Sequence, residues 1–521
     1  MPLGFYTRRS LNRPNRSLLS FHHVPALAAT PARQADTPHE VIVVGAGFAG
    51  IGAAIQLRQA GCDFLVLEKA EEIGGVWRDN TYPDCGCDVP SAFYCYSFAP
   101  NPRWSRLFAK QAEIKAYTQD TAERFGVMGH IRLGVELITA SWDALAKLWR
   151  LKTSAGDFSA QFVIMACGPM HVPVMPRVPG LNTFTGESLH SSRWRHDLDL
   201  RGKRVAVIGT GASAIQFVPM IQRQVQQLSV FQRTPPWVLP KMDAPISPRW
   251  QQLFEKVPLT QSLFRKLLYL QFELLNLSLK SPRLIKRLEA AGKKNIARGV
   301  KDLSLRARLT PDFALGCKRI LMSNTWYRAL AQPNVRVLPG VARVEGSELV
   351  AEDGQRGAAD VIIFATGFDV MTGAMDRIDI RGRGNQSLKK RWETGHTSYL
   401  GMMTEGFPNL LWMNGPGSPF YNPLLQAEYQ GQWIGRVIST LKTNGKKCIE
   451  PLPESEAAWV KLNDDIGAMT LFPKSNNYYM GDNIPGKPRR ILFYFGGFPS
   501  YREQCESAAV DYSAFRVFGS V

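Results

Sequence analysis

The sequence predicts an α/β protein with two parallel-sheet cores, each a three-layer unit with helices on both faces, one inserted into the other. Three observations predict it. A strand, a glycine turn, a helix and a second strand follow one another over residues 40–68, and the same succession recurs over 204–232. Two more apolar strands, in 160–169 and 359–369, each end on a small residue and a glycine and bracket the second unit. Strands alternating with helices in this way build doubly wound sheets.

The first 35 residues carry Arg8, Arg9, Arg13, Arg16 and Arg33 and no acid before Asp36. Such a tail is expected to be a disordered extension over 1–38, with a targeting segment as the alternative; its apolar part is broken by His22, His23 and Pro25. No uninterrupted apolar run of about 18 residues occurs, so a spanning helix is not expected, and the chain is read as cytoplasmic unless that tail directs it elsewhere.

The first unit opens with Gly45-x-Gly47-x-x-Gly50 between a β-branched strand and an Ala-rich helix, and Glu68 ends the next strand 23 residues after Gly45. Gly45 makes the turn, Gly47 lets the backbone approach a pyrophosphate at the helix N-terminus, and Gly50 permits close packing. Glu68 suits ribose hydroxyls and repels a 2′-phosphate, so this site fits FAD or NAD better than NADP.

The second unit repeats the pattern with Gly209-Thr210-Gly211-Ala212-Ser213 and Ala214 in the third glycine position. Its second strand ends on Arg233 and Thr234 instead of an acid. A guanidinium and a hydroxyl suit a 2′-phosphate, so this site is expected to select NADPH. Acid at one turn and base at the other describe a flavoprotein reduced by NADPH.

The expected division is therefore 39–170 and 360–521 for a discontinuous FAD-binding domain, 171–244 and 310–359 for the NADPH-binding domain, and 245–309 for a helical insertion. Within that insertion residues 263–279 are apolar around most of a helix, which reads as a buried helix. Capping of the substrate cavity and contact with a membrane surface through Lys and Arg flanks are the alternatives.

Composition agrees with anionic partners. The 63 Lys and Arg against 44 Asp and Glu leave a charge of +19, spread without long basic runs or a nucleic-acid motif, so nucleic acid is not expected as a partner. Eight cysteines are scattered except for Cys85, Cys87 and Cys95. Cys85-Gly-Cys87 lacks a second pair with metal-ligand spacing and is expected to be reduced thiols, with no metal bound. It also lacks the C-x4-C spacing of a flavin disulfide reductase.

Between the two glycine turns stands Phe184-x-Gly186-x-x-x-His190-x-x-x-Trp194. This segment resembles the fingerprint of Baeyer–Villiger monooxygenases, within the class of FAD- and NADPH-dependent flavoprotein monooxygenases. "GGVWRDNTYPDCGCD" (74–88) is similar to the family's second signature, and "GCKR" (316–319), "NGPGSP" (414–419) and "GDNIPGK" (481–487) are similar to further family elements. The wording "GASAIQFVP" with "RTPPWVLP" leans towards the hydroxyacetophenone-type branch.

The resemblance implies that one oxygen of O2 is inserted into a ketone through a C4a-peroxyflavin, giving an ester or lactone. It implies Arg319 as the charge that stabilises the peroxide and the developing oxyanion, and Asp88 as its partner through a paired hydrogen bond. It places Lys318 near the NADP phosphate and Val76, Trp77, Asp88 and Tyr94 near the flavin. His190 becomes part of an interdomain linker with Phe184, Gly186 and Trp194. Arg195 after Trp194 departs from the fingerprint towards relatives that oxidise nitrogen or sulfur, which keeps a sulfide or amine open as substrate. Asp84 replaces a usual Gly or Met, and Tyr478 stands where some members carry Trp. A non-catalytic flavoprotein on a membrane surface is the remaining alternative, and peripheral membrane contact stays open.

Overall fold

A computed structural model describes residues 37–278 and 281–520. The expectations for the N-terminal extension fall outside these residues, apart from its last two.

The apolar run at 40–44 is a central strand, His39–Val44, buried from Val41 onward as a strand covered on both faces must be. It pairs in parallel with Phe64–Leu67 on one side and Gly156–Met165 on the other. The sheet then extends through an antiparallel meander, Leu148–Thr153 and Leu137–Asp143, to a parallel edge strand, Asp379–Arg381. Leu410–Trp412 also pairs with Gly156–Met165, so this eight-stranded sheet takes strands from both ends of the chain.

The helix Phe48–Gln59 is buried over most of its length because the helix Pro423–Thr443 crosses it. Gly431 and Gly435 allow the approach. A methyl group on Gly431 would lie 3.1 Å from the Gln56 side chain, and one on Gly435 3.2 Å from Ala60 Cβ.

The second sheet is wholly parallel, in the order Val335–Leu338, Gln227–Phe231, Arg204–Ile208, Val361–Phe364, Glu187–His190. The boundary expected between 359 and 360 is corrected by this register. Val361–Phe364 lies between two strands of the second sheet, so the second unit runs to the end of that strand. Periodicity cannot tell which of two sheets an apolar strand joins.

The chain passes between the sheets at two places that lie side by side. Val174 N–H donates to Gly367 O at 3.0 Å, and Asp369 N–H donates to Val172 O at 2.8 Å.

The helical insertion forms Pro248–Lys256, Pro258–Ser278, Pro282–Gly299 and Leu303–Leu309. Pro begins the first three, where its missing N–H costs nothing. The expectation of a buried helix at 263–279 is corrected over the described part. Leu268 is buried with Phe93, and Phe264, Tyr269 and Phe272 pack around them, but Leu263, Leu267, Leu270 and Leu274 are more than half exposed. A nearly all-apolar sequence does not say which face has a partner. Among the described residues no helix is long and apolar enough to cross a membrane.

Candidate active site

The two glycine turns are built alike. Gly45 and Gly209 both have positive φ, +107° and +106°, and each is pressed against the alanine that directly follows a neighbouring strand. A Cβ would lie 2.7 Å from Ala166 O at Gly45 and 2.5 Å from Ala365 O at Gly209. Gly50 meets its own turn: a Cβ there would fall 1.8 Å from Gly45 O. The middle glycines differ in kind. A methyl on Gly47 would approach only Gly75, at 3.5 Å, and one on Gly211 would meet nothing within 4 Å. Backbone is thus left bare at each helix entrance, which fits a phosphate group approaching closely.

Around the first turn the short helix Val76–Asp79 follows Gly75. Trp77 is buried and donates from Nε1 to Tyr94 OH at 3.1 Å; the Tyr94 ring meets Phe48 edge-on at 5.7 Å. Glu68 is buried, and its carboxylate accepts from Ala46 N–H at 2.7 Å, Ala70 N–H at 3.0 Å and Arg78 at 3.0 Å. The carboxylate therefore ties the strand end to the turn, and its further lone pairs are what it offers a ribose.

At the second turn Thr210 is buried, Gly211 is exposed, and Ala212 and Ser213 are half-buried at the start of the helix Ala214–Ile221. Arg233, just past the Gln227–Phe231 strand, is exposed, next to the half-buried Thr234, and has no ion-pair partner among the described residues. Lys318 lies close to it, with its ammonium 4.8 Å from the Phe313 ring centre. Burial, followed by the repulsion of Arg233, pushes the Lys318 pKa below the ordinary lysine value. Two cations brought together, one of them partly desolvated, fit the extra phosphate of NADPH.

Arg319 and Asp88 do meet, although they are 231 residues apart: Arg319 Nη2 donates to Asp88 Oδ2 at 3.3 Å. The paired hydrogen bond expected from the sequence is corrected to a single one, because the other carboxylate oxygen is held by Lys241. Its ammonium donates to Asp88 Oδ1 at 3.1 Å and to Cys87 O at 3.0 Å, and lies 4.8 Å from the Phe108 ring centre. Burial opposes the charge on Arg319, but Tyr478, Asp88 and Tyr479 around it more than offset this, and its pKa lies above the ordinary guanidinium value. Asp84 pairs with Lys110 at 2.6 Å instead, at the surface.

Lys241 and Gln216 were not legible as site residues. Gln216 projects from the helix Ala214–Ile221 and clasps the loop that leads to Asp88. It accepts from Tyr82 OH at 3.1 Å and Gly86 N–H at 3.2 Å, and donates to Gly86 O at 3.1 Å. Cys85 and Cys87 are buried in the same loop; burial pushes both thiols up to about 12, so they stay protonated and poorly nucleophilic.

The segment expected to be a linker is more ordered than that word suggests. Glu187–His190 is an edge strand of the second sheet, followed by a short turn. His190 is buried, Nδ1 accepts from Ser192 N–H at 3.2 Å, and the ring meets Phe368 at 5.7 Å, at the other chain crossing. Burial lowers its pKa, which favours the neutral ring. Gly186 packs under Asp360 O and the half-buried Phe184, and Trp194 lies 5.3 Å from Phe217. Arg195 points away from the site and pairs at the surface with Glu187 and Asp197, both at 2.7 Å. The C-terminal element closes on the same crossing: Lys487 pairs with Asp369 at 2.6 Å, and Asn483 donates to Phe368 O at 2.7 Å. In the 414–419 segment Asn414 N–H donates to Gln430 at 2.8 Å.

Known proteins share this architecture. Residues 42–266 match the family model described as pyridine nucleotide-disulphide oxidoreductase. A Baeyer–Villiger monooxygenase of Streptomyces coelicolor is 44% identical over 80% of this chain and 82% of its own. The crystal structure of cyclohexanone monooxygenase from Rhodococcus sp. Phi1 bound to NADP+ is 29% identical, covers 93% of this chain and 100% of that one, and superimposes with a TM-score of 0.86. A structure of OTEMO in complex with FAD and NADP is 30% identical, covers 92% and 99%, and gives a TM-score of 0.82. Two bare glycine turns, two neighbouring cations at the second, an Arg–Asp pair where the two units meet and this degree of identity have one reading: the chain belongs to the Baeyer–Villiger monooxygenases, and is an FAD- and NADPH-dependent oxidoreductase.

Proposed function

We propose that this chain converts a ketone, O2 and NADPH with one proton into an ester or lactone, NADP+ and water. The observation that carries this reading is Arg319, which comes from the second unit, ends on Asp88 of the first and keeps its charge although half-buried. FAD would be held at Gly45, Gly47, Gly50, Glu68, Val76, Trp77, Asp88 and Tyr94, and NADPH at Gly209–Ser213, Arg233, Thr234 and Lys318. Once bound, they supply the electrons and the activation of O2.

The chain itself supplies position and charge. Arg319 would serve the reacting oxygens as a permanent donor: a guanidinium does not surrender its proton at neutral pH, so it would hold negative charge without quenching it. The same donor stabilises the oxyanion that forms when the ketone carbonyl becomes tetrahedral. Asp88 and Lys241 act through Arg319. One fixes the height of the guanidinium and the other prevents the carboxylate from turning to form a second bond with it.

The test is product analysis by mass with ketones, sulfides and amines, for wild type and Arg319→Ala. Ester from a ketone is expected in wild type, with a loss of about 10²–10³ in the variant and NADPH still consumed with release of H2O2. Sulfoxide or N-oxide with no ester from any ketone would overturn the substrate class.

A further inference from the structure

We propose that the helix Pro258–Ser278 docks this chain on an anionic lipid surface. Leu259, Leu263, Leu267, Leu270 and Leu274 are 62, 55, 61, 56 and 66% exposed. At about 100° per residue they fall within an arc of roughly 80°, a continuous outward stripe about 22 Å long. Trp250, 56% exposed on the preceding helix, adds an aromatic of the kind that favours the headgroup region.

The stripe is held outward. On the opposite face Leu268 is buried, Phe272 lies 5.3 Å from Phe93, and Arg265 donates to the carbonyls of Ala92 and Cys95 at 3.1 and 2.9 Å. Turning the leucines inward would break these bonds, so they have no partner among the described residues.

Charge selects the occupant. Residues 245–309 hold fourteen Lys and Arg against four Asp and Glu, more than half of the whole chain's excess of nineteen. Lys256 and Lys266 are exposed at the margins of the stripe, and Arg283, Lys286 and Arg287 follow the helix directly and are exposed too. None of these five forms an ion pair among the described residues. A second copy of the chain would set like charges against each other around the leucines. Nucleic acid would satisfy the cations and leave the leucines in water. A bilayer with anionic headgroups satisfies both, and a helix too short of apolar residues to span lies in its surface.

Flotation of the flavin-loaded full chain with vesicles of phosphatidylcholine and phosphatidylglycerol tests this. Binding to mixed vesicles is expected, at least tenfold weaker to pure phosphatidylcholine and weaker again in about 0.5 M salt, where screening is short-ranged. The variant carrying Leu263→Ser, Leu267→Ser and Leu270→Ser should lose at least tenfold of that binding with unchanged bound flavin and NADPH oxidation, and Lys256→Glu with Lys266→Glu should weaken it independently. No binding to mixed vesicles at low salt would overturn the proposal. So would full binding by the leucine variant, which means nonspecific adsorption of a basic protein, or a dimer in sedimentation that the leucine variant abolishes.

Discussion

At the first glycine turn the strand ends in an acid that its own chain already engages; at the second it ends in a base that no described residue pairs with. The steric demands are the same, since Gly45 and Gly209 press on Ala166 O and Ala365 O in matching geometry. The electrostatics are opposite. Glu68 accepts three hydrogen bonds, whereas Arg233 and Lys318 repel each other and neither forms an ion pair among the described residues, Asp312 acting on Lys318 only from a distance. Packing thus shapes each turn for a phosphate, and under the proposed assignment the charge at the strand end would decide which dinucleotide it takes.

The largest effect expected from breaking this comparison is steric. Gly209→Ala should cost about 2–4 kcal/mol through the clash and positive φ together. Calorimetry should show the loss in stability, and activity should disappear with NADPH. Gly211→Ala, where a methyl meets no protein atom, should leave the unfolding temperature unchanged and raise the NADPH KM. Equal destabilisation by both would show that Gly211, like Gly209, is set by packing and not shaped for a ligand.

Next comes charge. Lys318→Ala or Arg233→Ala removes one charge-assisted contact, about 1.5–3 kcal/mol, so the KM for NADPH should rise roughly 10- to 100-fold. The KM for NADH should stay nearly constant, and a parallel rise in both would remove the 2′-phosphate assignment.

A pH series sharpens the same point. The Lys318 pKa is lowered, so in the free protein its charging costs stability, fully felt below the folded pKa and relieved as pH rises through it. A bound phosphate needs the charged form. The preference for NADPH over NADH should therefore fall as pH rises from about 7 to about 10, beginning below the ordinary lysine value, and Lys318→Met should flatten that fall. The smallest effect expected is at Gln216. Gln216→Ala loses the clasp on the Tyr82–Gly86 loop, about 1 kcal/mol and about 1 °C in Tm, with flavin retained.

Much of this was legible in the sequence because it is local. Both turns, the strand before each and the residue at each strand end lie within about thirty residues and follow from backbone geometry. Arg319 and Asp88 were legible only as parts of two separate motifs; that they touch, and through one oxygen, depends on how the units close. Lys241 sits in a loop with no periodicity, and Gln216 reads as an ordinary polar helix position. Each acquires a role only from the partner across the interface. The leucines of Pro258–Ser278 misled in the opposite sense, because an apolar sequence records what can be buried and not what covers it.

The two crossings held together by Val172, Val174, Gly367 and Asp369 have an architectural consequence. The inserted unit leaves and returns through one pair of hydrogen-bonded segments, so its ends are already neighbours in the host. It is in effect a cassette: a foreign unit whose own ends lie a few ångströms apart could replace it without moving the sheet it is plugged into.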